Sequence, residues 1–155
     1  MTSRTIPTTP LATVKHPELP LSGKVTLALL AILGLGALGG GGALVARPDG
    51  SAVGFSVDML AGSPFPDFLV PGLILGGLFG VGSFGVLASG LRHFRLAPFL
   101  AFGIGVAQMI WIAVELAIIG EFSFLHPTLF GVGLILAAFA VKWGWPTLRG
   151  SRLTR

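Results

Sequence analysis

The chain has 155 residues, of which 53% are apolar and only 10% charged, with a net charge of +4. A water-soluble domain carries roughly 25% charged residues, so this composition excludes an ordinary soluble fold and points to a bilayer-embedded chain. There is no cysteine, which excludes disulfides, thiolate metal sites, iron–sulfur clusters and thiol redox chemistry.

In chain order, the first region is rich in Thr and Pro, with Pro7, Pro10, Pro17 and Pro20. It cannot bury a core, so residues 1–24 are expected to form a disordered tail. An uncharged apolar run follows over 25–46. A bilayer core about 30 Å thick needs roughly 20 apolar residues as a helix, so this run is the first expected span. It is too long for the apolar core of a cleaved signal peptide, typically about 7–15 residues. The segment 47–68 is a long connection in which Ser56 suits a helix N-cap, Asp58 its first turn and Gly62 its end. A one-turn interfacial helix is expected there, with Phe55, Met59 and Leu60 facing the membrane. Pro64 and Pro66 stiffen the approach to a second span over 69–90. A third is expected over 96–120 and a fourth over 124–145, closing with Trp143 and Trp145, before a basic tail over 146–155. Helix is the expected form because it satisfies its own backbone hydrogen bonds in lipid.

Charge orients these spans. The N-terminal tail holds Arg4, Lys15 and Lys24, the second connection Arg92 and Arg95, and the C-terminal region Lys142, Arg149, Arg152 and Arg155. Of the ten Lys and Arg only Arg47 lies elsewhere, beside the acids Asp49, Asp58, Asp67 and Glu121 of the other two connections. The positive-inside rule then places both termini in the cytoplasm. The expected fold is an all-α membrane protein: an up-down bundle of four transmembrane helices, N-in and C-in, with the short interfacial helix in the first outer loop. The same distribution explains the basic balance, so no nucleic-acid partner is expected.

Glycines mark the expected packing faces. Gly72, Gly76 and Gly80 recur every four residues in the second span. Gly36 and Gly40 do so in the first, and Gly105 and Gly133 sit in the third and fourth. Small residues let helix backbones approach closely in membranes, as in a glycine zipper. Packing within the chain is the main use expected, with contact between copies as the other.

Glu115 is the one charge inside an expected span. It lies about 7–8 Å from the outer end at 1.5 Å per residue, and an intramembrane carboxylate is costly unless paired or protonated. Gln108 and Trp111 precede it by seven and four residues, giving one polar and aromatic stripe. His126 opens the fourth span near the same level, and Asp67 belongs to the same layer. These five residues, Glu115, Gln108, Trp111, His126 and Asp67, are the candidate ligand- or ion-binding set. No histidine lies deep in a span, so haem ligation within the bundle is excluded. Gly82-Ser83-Phe84-Gly85 superficially resembles a serine nucleophile turn, but no histidine reaches that depth. No metal-ligand spacing, phosphate loop or dinucleotide fingerprint occurs, so no catalytic residue, metal or cofactor is expected.

Two segments, residues 62–75 (Gly-Ser-Pro-Phe-Pro-Asp-Phe-Leu-Val-Pro-Gly-Leu-Ile-Leu) and residues 111–120 (Trp-Ile-Ala-Val-Glu-Leu-Ala-Ile-Ile-Gly), carry a resemblance to small four-helix integral membrane proteins of bacteria. The resemblance spans about residues 25–141. It implies a bacterial cytoplasmic membrane and a four-span layout, and no activity. The expected function is that of a non-enzymatic accessory or interaction subunit, whose partners are membrane lipids and another membrane protein or a second copy. The alternative is a small proton- or cation-handling transporter or channel using Glu115.

Overall fold

The computed structural model describes residues 18–119 and 124–150 of the chain. Most of the expected N-terminal tail lies outside them, as do Gly120, Glu121, Arg152 and Arg155. Among the described residues every regular element is helical: α1 (Leu21–Ala46), α2 (Leu69–Leu91), α3 (Ala97–Ile119) and α4 (Leu125–Gly150). All 4 are long and apolar enough to cross a membrane, which is compatible with a multi-pass membrane protein.

Two ends differ from the sequence expectation. α1 starts at Leu21 rather than at residue 25, and the Lys24 N–H donates to the Pro20 carbonyl at 3.0 Å. Proline stops the helix from extending backwards without opposing its start, and a lysine in the first turn can project its ammonium away from apolar surroundings. The helix α4 itself runs on to Gly150, while its stretch apolar enough to span a membrane, Leu125–Trp145, keeps close to the expected 124–145. Pro146 removes one intrahelical amide but does not end the helix.

Close backbone contact organises the helices in pairs. A Cβ at Gly41 of α1 would overlap the Gly76 amide and lie 2.7 Å from the Gly72 carbonyl oxygen. At Gly80 it is a side chain that fills the space, since a Cβ there would lie 2.7 Å from Leu38 Cδ2. In the other pair, a Cβ at Gly105 of α3 would lie 2.7 Å from the Gly133 carbonyl of α4. A Cβ at Gly40 would lie 3.4 Å from Leu75, but Gly36 is exposed, with nothing within 4 Å of where a Cβ would be. The buried face of α1 runs through Leu30, Gly34, Ala37, Gly41 and Leu44. Gly36 lies about 100° round the helix from Ala37, so Gly41 takes the role expected of it.

The middle of α2, Leu75–Val81, is a π-helix, seen where the Gly82 N–H donates to the Gly77 carbonyl. In an α-helix a four-residue repeat drifts about 40° per step. The wider π turn advances less per residue, which keeps Gly76 and Gly80 on the α1 side along with Gly72. The main core gathers Leu30, Phe79, Ala101 and Leu136, with Trp111 and Trp143 packed against it. Outward-facing residues such as Ile32, Leu35, Val81 and Ile110 are apolar and exposed, the pattern of helices that meet lipid.

The segment 47–68 folds over one end of the bundle. Ser56 caps a single 3-10 turn, Val57–Leu60, its hydroxyl accepting from the Asp58 N–H at 3.3 Å. Leu60, expected to face the membrane, turns into the protein instead. It is buried against Leu44 and Phe68, with Met59 and Phe65 beside them. One turn this short has no preferred face of its own, and the apolar end of α1 is the surface available to it. The Phe68 ring lies 5.6 Å from Phe55. At the start of the segment Asp49 accepts from the Ser51 hydroxyl at 2.7 Å and the Ser51 N–H at 3.0 Å. Those bonds, with Arg47 nearby, hold its carboxyl below the usual carboxylate range.

Candidate functional site

The candidate site is built on α3. Residues three and four apart share a helix face, so Gln108, Trp111 and Glu115 form one stripe. Gln108 is 2% exposed, and its Oε1 has no hydrogen-bond partner. It packs against Gly133 of α4, whose missing side chain leaves it room. Trp111 meets Phe79 of α2 edge-on, with centroids 6.0 Å apart. Its indole N–H hydrogen-bonds Glu115, and His126 of α4 lies within electrostatic reach of the same carboxylate.

Glu115 stands where two cavities meet. The larger, about 530 Å³, runs between α1, α3 and α4 and is lined by Gly40, Ile112, Glu115, His126 and Leu129 under Val53 and Met59. The smaller, about 100 Å³, lies on the α2 side, walled by Phe65, Phe68, Pro71, Trp111 and Ile118. Leu44, Phe55, Leu75 and Glu115 line both. The result is an apolar cleft that forks around one carboxylate and is roofed by the segment 47–68. Its larger arm falls within the roughly 300–1,000 Å³ of small-molecule sites.

Asp67 takes no part in either cavity. Its Oδ1 accepts the Leu69 N–H at 2.9 Å and so opens α2. Among the described residues no group of three or more His, Asp or Glu is placed to hold a metal. The apolar walls were not singled out from the sequence, because they form only when the segment 47–68 docks. The Phe-Pro spacing there signals an ordered connection and does not reveal which rings turn inward.

Compared with family models, curated proteins and solved structures, the chain matches none. The chemistry of the cleft therefore rests on its own residues. A half-buried carboxylate among apolar side chains favours an ammonium or hydroxyl donor, and forked apolar walls favour hydrocarbon. Together they fit an amphiphile.

Proposed function

We propose that this is a non-enzymatic, multi-pass protein of the bacterial cytoplasmic membrane that binds an amphipathic membrane component in the forked cleft. In this reading the bundle is up-down with both termini in the cytoplasm, following the charge distribution. The segment 47–68 then roofs the cleft at the outer surface, with its capped turn at the interface. The ligand places an amine or hydroxyl headgroup at Glu115, beside Trp111 and His126, and its hydrocarbon in the two arms. The accessory role follows if the ligand is delivered to, or withheld from, a neighbouring membrane protein. The observation that carries this reading is the position of Glu115 at the junction of both cavities.

The test is native mass spectrometry of the full chain released gently from membranes, followed by titration with an amine-headgroup phospholipid. The parent chain should retain the amphiphile, and E115Q should retain it about ten-fold less, since a hydrogen bond to a charged group contributes about 1.5–3 kcal/mol. Equal retention by both forms would overturn the proposal.

A second reading, proton or cation handling, draws on Gln108, an unpartnered acceptor about 10 Å below Glu115 along α3 at 1.5 Å per residue. It requires flux in proteoliposomes that E115Q abolishes; a parent chain without flux excludes it.

A further inference from the structure

The opposite end of the bundle carries a second pocket, of about 250 Å³, distinct from the Glu115 cleft. Its polar lining is His93 and Arg95, and its apolar lining includes Leu19, Phe94, Pro98 and Trp143. Its architecture starts from a turn. α2 ends with the His93 N–H donating to the Gly90 carbonyl at 3.0 Å and the Phe94 N–H to the Ser89 carbonyl at 2.9 Å. These two bonds define a Schellman motif, whose left-handed position usually belongs to glycine or asparagine. Here His93 occupies it, at φ +55, and is the only non-glycine residue with positive φ among the described residues. A histidine is thus held in a backbone conformation that glycine would adopt with less strain. Such strain concentrates at functional positions, and this histidine lines the pocket.

The wall opposite is also built. Trp143 of α4 packs where two other helices have no side chain. A Cβ at Gly23 would lie 3.1 Å from its Nε1, and one at Gly90 would lie 2.9 Å from its Cη2. The indole is wedged between α1 and α2 and faces the turn from below. The turn itself, residues 91–96, reads Leu-Arg-His-Phe-Arg-Leu. It contains no acid, and Leu91, Phe94 and Leu96 are exposed beside its cations. Glu18 is the one described acid near the pocket, adjoining Leu19, and it is exposed. Lys142 is turned elsewhere, with its Nζ 5.7 Å from the Phe139 ring.

Cations set among exposed apolar side chains, at the end of helices able to span a membrane, suit a ligand that is anionic at its head and apolar below. A guanidinium binds phosphate oxygens through parallel N–H groups. The start of α3, two residues after Arg95, adds positive potential of its own. We infer that this pocket binds the phosphate of an anionic phospholipid, with Arg95 and His93 on the phosphate and Trp143 and Phe94 against the glycerol and upper acyl chain. The inference does not depend on the Glu115 cleft.

The experiment uses the full chain in detergent, titrated separately with phosphatidylglycerol and phosphatidylcholine and read by native mass spectrometry. The parent should prefer phosphatidylglycerol by about ten-fold or more, the size of one charge-assisted contact. R95Q should lose most of that preference. H93G removes the imidazole while relieving the backbone, so it should fold at least as well as the parent and still lose preference. R92Q, outside the pocket lining, should keep it. Equal binding of the two lipids by the parent, or a preference unchanged in both R95Q and H93G, would overturn the inference. Displacement of phosphatidylglycerol by millimolar inorganic phosphate would also overturn it, by showing that the pocket takes soluble phosphate without the lipid.

Discussion

The two ends of this bundle solve opposite problems. At the Glu115 end a long connection doubles back and supplies a roof, so a single carboxylate is enclosed by apolar walls. At the other end a short turn leaves no roof, and Arg95 and His93 line a shallow pocket against Trp143. Connection length therefore decides how each end treats charge. A long segment can bury an acid, whereas a tight turn presents bases. The backbone contacts between glycines hold both arrangements in register.

The comparison breaks most completely if those contacts fail. Gly41→Leu drives a side chain into the backbone of α2, which cannot yield as a flexible side chain could. It should cost at least about 3 kcal/mol, whereas Gly36→Leu, facing open space, should leave the thermal midpoint in detergent within a degree or two of the parent. Leu60→Ala acts on one end alone. It should destabilise the roof by about 2–3 kcal/mol, raising hydrogen exchange across 47–68 while residues 91–96 stay as protected as before. A matching rise at both ends would show that the ends are not independent.

His93→Gly should stabilise the fold by about 1 kcal/mol by removing the left-handed strain, detectable as a higher thermal midpoint. The smallest effect belongs to Asp49, whose ordinary carboxyl value is 3.8 and whose folded value is lower. A depressed value contributes stability above the unfolded pKa and loses it as pH falls through the folded one. Protection of the amides around Ser51, relative to their intrinsic exchange rates, should thus be constant near neutral pH and fall only in strong acid. Asp49→Asn should remove that acid-dependent step.

Much of this was legible in the sequence, for identifiable reasons. The four apolar helices announce themselves by length, since lipid leaves few alternatives to a continuous helix. The stripe from Gln108 to Glu115 follows from spacing within one helix and needs no tertiary knowledge. What escaped depends on contact between distant segments. Leu60 was expected to face the membrane because nothing local reveals that Leu44 and Phe68 await it. The π-helix has no sequence mark beyond a cluster of glycines that equally suits an α-helix. Arg92 and Arg95 were read only as orientation signals, and a histidine gives no warning that its backbone will turn left-handed.

The wedged Trp143 has one practical consequence. The chain contains no tyrosine and three tryptophans, so its near-ultraviolet emission comes from indole alone. Trp111 borders the Glu115 cleft, Trp143 lines the opposite pocket, and Trp145 is exposed. In a Trp145→Phe background the protein would carry one native fluorophore at each end. Quenching or a wavelength shift on adding lipid could then be assigned to an end by removing either indole, with no extrinsic dye.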